Sequence, residues 1–486
     1  MQVILFTDIA DTPGYGKYAG TYKLASEIRS AGYTCQVVDH FSWYNFEKIK
    51  TILDLFITND TIIVGISCTL NEKRIDGKVL HWGIPEDDFK LIIDHIKQKN
   101  KNIKIVAGGS RITALSNWSY IDYTIVNKAD IAFIKLIEHI TKKSNLKFYQ
   151  NKNTKSINGD DYFYTQDQFK TSQIIFEKQD IILPNESLPM EIARGCIFSC
   201  AYCHFDLIGK KIGDWTKTPE TIRDEILRNY EKFGTTHYMF SDELINESIS
   251  KMEMIANVIT NLPFKIRYTS YARVDLIRRY PEMRELLLES GAASLAFGIE
   301  TFNEKAGRTV GKGMNAGKIK ETLHYCNEKW KGKIITSSNF IVGLPGETED
   351  DIWKTVEYLI SDNNPLDVFG FLPLYIREKE DGRAPSKIDS NPEKFGYILD
   401  QGKWKSSTMT FDQALSLVRK IYNCPEIKNR AKFSAATWIG RILSLGYSVE
   451  EVFSMIHDDK DYQKEIIQKT NKMKNDYYLK LIKQSR

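Results

Sequence analysis

Three of the chain's seven cysteines crowd into one short run, Ala193–Phe205, read ARGCIFSCAYCHF. They are Cys196, Cys200 and Cys203, in the spacing C-x3-C-x2-C. An odd number of thiols cannot close a disulfide framework. A structural zinc site takes four ligands, commonly as two separated C-x2-C pairs, and no second pair follows. Three thiolates on a small loop suit a 4Fe–4S cluster better. Three irons are then held by the protein, and the fourth stays open to an exogenous ligand. The plain alternative is three unrelated core cysteines, since free cysteine is often buried.

Further groups able to do chemistry recur downstream. MFSDEL (Met239–Leu244) offers Ser241, Asp242 and Glu243. YTSYARVD (Tyr268–Asp275) offers Ser270 and Arg273. LAFGIET (Leu295–Thr301) offers Gly298 and Glu300, and NFIVGLPGET (Asn339–Thr348) offers Gly343 and Gly346. Each alone has a structural explanation. A carboxylate at a strand end often caps a helix, Glu347 and Asp350 stand where acids favour a helix N-terminus, and Arg273 has the reach for a surface ion pair. Their order along the chain argues for a shared site.

The elements that must position them follow from periodicity. Strand-like runs at Pro189–Arg194, His237–Asp242, Lys265–Ala272, Ser294–Glu300, Ile334–Gly343 and Val368–Leu374 alternate with helical patterns. The helices are predicted over Pro219–Lys232, Glu247–Thr260, Glu282–Ser290, Ala316–Lys329 and Thr348–Ile360, the first opened by Thr218 and Pro219 as a start signal. Every candidate above falls at or near the carboxyl end of a strand. Residues 1–150 alternate in the same way and read as a doubly wound parallel sheet. Ligands on such sheets lie at carboxyl strand ends, here Thr7–Gly16, Ser67–Leu70 and Gly108–Thr113, which makes Ser67, Gly108 and Gly109 candidate contacts. GYGKYAG (Gly14–Gly20) misses the G-x-G-x-x-G spacing by one residue and reads as a turn into a helix. Residues 151–185 are polar and read as a linker, 186–375 as the second domain, and 376–486 as a helical extension. Its helices are predicted over Thr410–Tyr422, Phe433–Leu445 and Ser448–His457, with Trp404, Tyr422 and Trp438 packing on the second domain. From Lys464 to Arg486, seven Lys/Arg against two acids read as the solvated face of a terminal helix.

At 486 residues the chain suits two or three domains. A net charge of +4 does not call for nucleic acid as an obligatory partner. No apolar run reaches the ~18 residues of a membrane span. The start, MQVILFTDIADT, reads as a strand, so a cytoplasmic protein is expected, in a reducing compartment that suits free thiols.

With Tyr202 at the aromatic position, the cysteine run resembles the radical SAM signature C-x3-C-x-aromatic-C, and the later strand ends follow in that superfamily's order. Residues 1–150 resemble the cobalamin-binding domain found ahead of many of its barrels, through VGISCTL, IVAGGSRIT and IDYTIVNKAD. The resemblance implies an α/β fold: a Rossmann-like, cobalamin-binding-type domain, a partial (β/α)6 barrel and the helical extension. It implies a 4Fe–4S cluster on Cys196, Cys200 and Cys203, with S-adenosylmethionine on the open iron. Asp242 or Glu243 would hold the amino group of S-adenosylmethionine, Arg273 its carboxylate and Glu300 its ribose, while Gly343 lets backbone approach the adenosine. The D-x-H-x-x-G motif is missing after the first strand, so cobalamin is not expected to be ligated by its histidine. His40 is the nearest substitute and reads better as a loop histidine.

The implied function is an enzyme that cleaves S-adenosylmethionine to a 5′-deoxyadenosyl radical, with cobalamin-dependent methyl transfer to an unactivated carbon of a small-molecule substrate. A flavodoxin- or ferredoxin-type donor would supply electrons. The alternatives are a cobalamin-independent rearrangement or cyclisation, a methylthiotransferase, and a non-catalytic iron–sulfur sensor or electron carrier. Methylthiotransferases carry three cysteines in the first domain, where this chain has only Cys35 and Cys68.

Overall fold

The computed structural model describes residues 1–8, 14–67, 72–75, 78–81, 86–109, 120–142, 144–151, 154–377, 385–427, 430–431, 436–458 and 460–484. Its first sheet begins with β1 (Val3–Phe6), β2 (Cys35–Val38) and β3 (Ile63–Ser67). A separate hairpin follows, β4 (Glu72–Ile75) and β5 (Lys78–His81). The sheet resumes with β6 (Lys104–Gly108), β7 (Tyr123–Val126), β8 (Tyr149–Asn151) and β9 (Thr154–Asn158). The order is β2-β1-β3-β6-β7-β9-β8, parallel except for β8 against β9. Alternate residues of β1 enter two different cores, Val3 and Leu5 on one face and Ile4 and Phe6 on the other. Burial on both faces is why this strand reads as an unbroken apolar run. The order reverses between β1 and β3, which puts the ligand crevice of such a sheet beside the ends of those strands. The polar stretch expected as a linker from 151 instead contributes β9, paired in parallel with β7. Thr154, Ser156 and Ile157 are buried there, and Thr124 and Ser156 share a hydroxyl–hydroxyl bond across the strands at 2.5 Å. Polar side chains that satisfy each other hide a strand from a hydrophobicity pattern.

The second sheet has six parallel strands in sequential order: β10 (Leu188–Met190), β11 (His237–Phe240), β12 (Arg267–Ala272), β13 (Ala292–Glu300), β14 (Ile335–Val342) and β15 (Val368–Pro373). Helices connect them, and β10 and β15 are left as edges, so the barrel is partial. Tyr238, Phe240, Tyr268, Ala272, Leu295, Phe297, Phe340 and Phe371 belong to one core with the helices. Their alternate neighbours therefore face the lumen.

The extension fills and seals both units. Its helix Ala436–Leu443 packs across β11, β12, β13 and β14. A Cβ on Gly440 would meet Met239 Cγ at 2.8 Å and Thr269 Oγ1 at 2.9 Å, so this helix forms a floor in the lower lumen. The expected start of that helix at Phe433 lies outside the described residues. The terminal helix, Gln463–Lys483, is not simply a solvated face. Ile466, Thr470, Tyr477 and Leu481 are buried, and Tyr477 Oη donates to Val37 O at 3.3 Å and accepts from Asp39 N at 3.1 Å. The lysines stand between members of an apolar stripe that a charge count overlooks. At the same junction, buried Lys17 pairs with Asp39 at 2.7 Å and Glu186 at 3.6 Å, joining the first sheet to the lead-in of β10.

Candidate active site at the strand ends of the barrel

The cysteine loop leaves the carboxyl end of β10 and is folded back by its own backbone. Cys196 N–H donates to Leu207 O at 3.3 Å, and Gly209 N–H reaches Cys196 O at 2.8 Å and Phe198 O at 3.0 Å. Gly195 has φ +76°, and a Cβ there would meet Leu207 O at 2.5 Å, so this turn requires glycine. Phe198 N–H points at Cys196 Sγ, 3.4 Å away. Burial pushes the Cys196 thiol up and the Cys203 thiol to about 11, each also feeling its cysteine neighbours. Such thiols are poor free nucleophiles and need a metal to draw off the proton. Among the described residues no three His, Cys, Asp or Glu side chains converge on a single metal ion. Three cysteines around one glycine-turned loop, with amide hydrogen aimed at sulfur, fit a polynuclear cluster rather than one zinc.

The strand ends sort the candidates by geometry. Asp242 is consumed by the scaffold: Oδ1 accepts Ile192 N–H at 2.8 Å and Oδ2 accepts Lys251 Nζ at 2.9 Å, both side chains being buried. It is therefore not free to hold an ammonium. Glu243 is better placed, with Oε2 accepting Gly195 N–H at 2.9 Å. Burial, then the charges of Asp242 and Glu191, raise its carboxyl to about 7. Ser241 is exposed, its hydroxyl on Met190 O at 3.1 Å. Ser270 is a correction: it shares the helix-facing side of β12 with Tyr268 and Ala272, and is buried with its hydroxyl toward Phe240 O at 3.5 Å. Its neighbour Tyr271 faces the lumen and is 37% exposed.

Arg273 reaches the cysteine loop but already has a partner. Nε and Nη2 bind both oxygens of Asp275 at 2.8 and 2.7 Å, Nη1 lies 3.6 Å from Cys200 Sγ, and the guanidinium stacks 3.7 Å from the centre of the Phe198 ring. Glu300 ends β13 with φ +69°, a left-handed backbone that costs a non-glycine residue about 1–3 kcal/mol and clusters at functional sites. Its carboxylate engages the Tyr202 hydroxyl and lies 3.7 Å from Lys312 Nζ, which also donates to Gly298 O at 2.7 Å. A Cβ on Gly298 would meet that Nζ at 2.7 Å, so the glycine makes room for Lys312. Gly343, at φ +96°, is covered by the extension: Trp404 Cη2 lies 2.4 Å from where its Cβ would stand. This glycine admits an indole.

Residues 190–359 match the model of the radical SAM superfamily, and the strand-end site lies mostly within that segment. The chain carries a radical SAM domain. The whole fold is similar to that of the radical S-adenosylmethionine methyltransferase TsrM from Kitasatospora setae, solved with cobalamin and a [4Fe-4S] cluster bound. The TM-score is 0.67 at 13% identity over 97% of this chain and 99% of that one. It is also similar to the cobalamin-dependent S-adenosylmethionine radical enzyme OxsB, with TM-score 0.58 at 15% identity over 99% of this chain and 72% of that one. In sequence, the tRNA-2-methylthio-N(6)-dimethylallyladenosine synthase of Buchnera aphidicola subsp. Cinara cedri is 28% identical over 72% of this chain and 75% of its own length.

Beside the radical SAM domain, the first sheet presents its own candidates at one level: Ser67 pairs in register with Gly108, and Gly109 follows at φ +115°. Among the described residues, the nearest atom to a Cβ on Gly108 would be Ile125 O at 3.5 Å, ordinary van der Waals contact. The continuations of these ends, 68–71 and 110–119, lie outside the described residues, Cys68 among them. His40 is 2% exposed, between the rings of Tyr15 at 4.7 Å and Tyr477 at 5.6 Å, and burial holds its pKa well below the usual histidine range. It thus packs as a buried ring between the first sheet and the terminal helix. Lys312, Asp275 and Tyr271 escape sequence reading. Only Tyr271 had a usable signal, since it lies two residues from Arg273 and so on the same strand face.

Proposed function

We propose that this radical SAM enzyme is a cobalamin-dependent methyltransferase acting on an unactivated carbon of a small molecule. Support for the cofactor set is the cysteine loop at the end of β10 in a partial barrel, joined to a doubly wound domain in one fold similar to TsrM and OxsB. When bound, the cluster would supply the electron that cleaves S-adenosylmethionine, and cobalamin would supply the transferable methyl group. Cys196, Cys200 and Cys203 would hold the cluster, with Arg273 balancing thiolate charge near Cys200. Glu243 would accept the methionine ammonium, a charge-assisted bond. Lys312, beside Glu300 at 3.7 Å, would meet its carboxylate, and Glu300 the ribose hydroxyls. Ser67, Gly108 and Gly109 would line the corrin side, with no histidine ligand from the protein. The floor helix Ala436–Leu443 and Trp404 would keep bulk water from the lumen. TsrM has been solved with tryptophan as substrate, which supports a small molecule here.

The methylthiotransferase reading has the sequence relative in its favour. Against it, Cys35 is fully buried within β2, and residues 1–150 carry two cysteines rather than three. Anaerobically reconstituted protein, reduced in the presence of S-adenosylmethionine, should release 5′-deoxyadenosine, and production in medium with hydroxocobalamin should leave corrinoid absorbance with the chain. A cluster spectrum alone would sink the cobalamin reading; no cleavage of S-adenosylmethionine would sink the catalytic one.

A further inference from the structure

We propose that residues 386–389 of the helical extension are a latch on the cysteine loop, with Asp389 positioning Cys203 through His204. This rests on the reading that the loop holds a cluster. The segment lies beyond the part of the chain that matches the radical SAM model, residues 190–359. Ser386 caps a short helix, Lys387–Ser390, with Asp389 returning the bond. From it three contacts reach the loop. Ile388 N–H donates to Ala201 O at 3.0 Å. Lys387 Nζ donates to Ser199 O at 2.7 Å and to Ser199 Oγ at 2.9 Å. His204 Nε2 meets Asp389 Oδ2 at 2.5 Å.

Asp389 is itself immobilised: it is 8% exposed, Oδ1 accepts Arg377 N–H at 2.8 Å and Oδ2 accepts Ser386 N–H at 2.9 Å. A carboxylate has no proton to give, so the imidazole donates, which fixes the ring next to Cys203. On the other side of the loop, Ala201 N–H donates to Val310 O at 2.9 Å. The peptide groups between Cys200 and Tyr202 are thus gripped from both sides by segments far apart in sequence. A cluster with one open iron has only three protein bonds to hold it. Partners that orient those ligands then carry a larger share of its retention.

The test compares wild type with Asp389→Asn, His204→Gln, their double variant and Lys387→Ala, all full-length and reconstituted anaerobically. Iron release to a chelator is followed by visible absorbance, and the cluster by electron paramagnetic resonance and its reduction potential. We expect Asp389→Asn to release iron about ten- to a hundredfold faster, the range for lost partners of metal ligands. His204→Gln should match it, the double variant should be no faster than either, and the potential should shift. Lys387→Ala, at an exposed contact, should release iron several-fold faster with an unchanged melting temperature; it decides the matter if Asp389→Asn does not fold. Wild-type release rates and potentials in both Asp389→Asn and Lys387→Ala would overturn the latch. Failure of wild type to take up iron through its cysteines would overturn the cluster reading beneath it.

Discussion

Replacing Asp242 or Glu243, adjacent in sequence, should break two different things. Asp242→Asn leaves Lys251 Nζ buried, with Leu244 O at 3.0 Å as its remaining acceptor among the described residues. Removing one partner of a buried pair costs about 3–5 kcal/mol, so this variant should unfold at lower denaturant. Glu243→Gln leaves the fold nearly intact and removes a charge-assisted acceptor. Hydrogen bonds to charged groups contribute about 1.5–3 kcal/mol, so S-adenosylmethionine should bind roughly ten- to a hundredfold more weakly. The pH dependence sharpens the test. With its carboxyl raised from 4.5 to about 7, Glu243 is mostly protonated at pH 6 and mostly ionised at pH 8. The neutral form favours the fold fully below 4.5, and that contribution is lost as pH rises through about 7. Binding runs the opposite way: an ammonium needs the carboxylate, so affinity should rise about tenfold from pH 6 to pH 8. Equilibrium binding of S-adenosylmethionine to anaerobic holoprotein measures this. Wild-type affinity in Glu243→Gln, or a pH slope that survives the substitution, would refute the assignment.

Alanine at Cys196, Cys200 or Cys203 should abolish cluster uptake and 5′-deoxyadenosine formation together, read by iron content and chromatography. Lys312→Met should weaken S-adenosylmethionine binding about tenfold with iron content unchanged; unaltered binding would return the carboxylate to Arg273. Gly343→Ala should lower stability by roughly 1–3 kcal/mol through its left-handed backbone and the Trp404 ring above it. Combining it with Trp404→Leu should recover only the part owed to the clash, as denaturant melts would reveal.

Much of this architecture was legible in one dimension because its determinants are local. The six barrel strands begin and end within a few residues of their predicted bounds, since buried parallel strands must be apolar and the helices between them carry caps such as Thr218 and Thr348. The cysteine spacing is equally local, because Cys196, Cys200 and Cys203 fall on one short loop. β9 was missed because its burial is satisfied by hydroxyl pairing, which no apolar count detects.

What the sequence determined by itself was a class of chemistry: residue types able to hold a cluster, on a strand-and-helix period that puts them at one end of a barrel. Tertiary structure alone decided the roles. Asp242 and Glu243 differ by one residue, yet only Asp242 is taken up by Lys251, nine residues on in the first turn of the following helix. Ser270 gives way to Tyr271 because strands alternate faces. Gly343 faces an indole, and the cysteine loop is held by Val310 and Ile388. These assignments depend on which side chains reach one another across long separations in the chain, and that is set by packing.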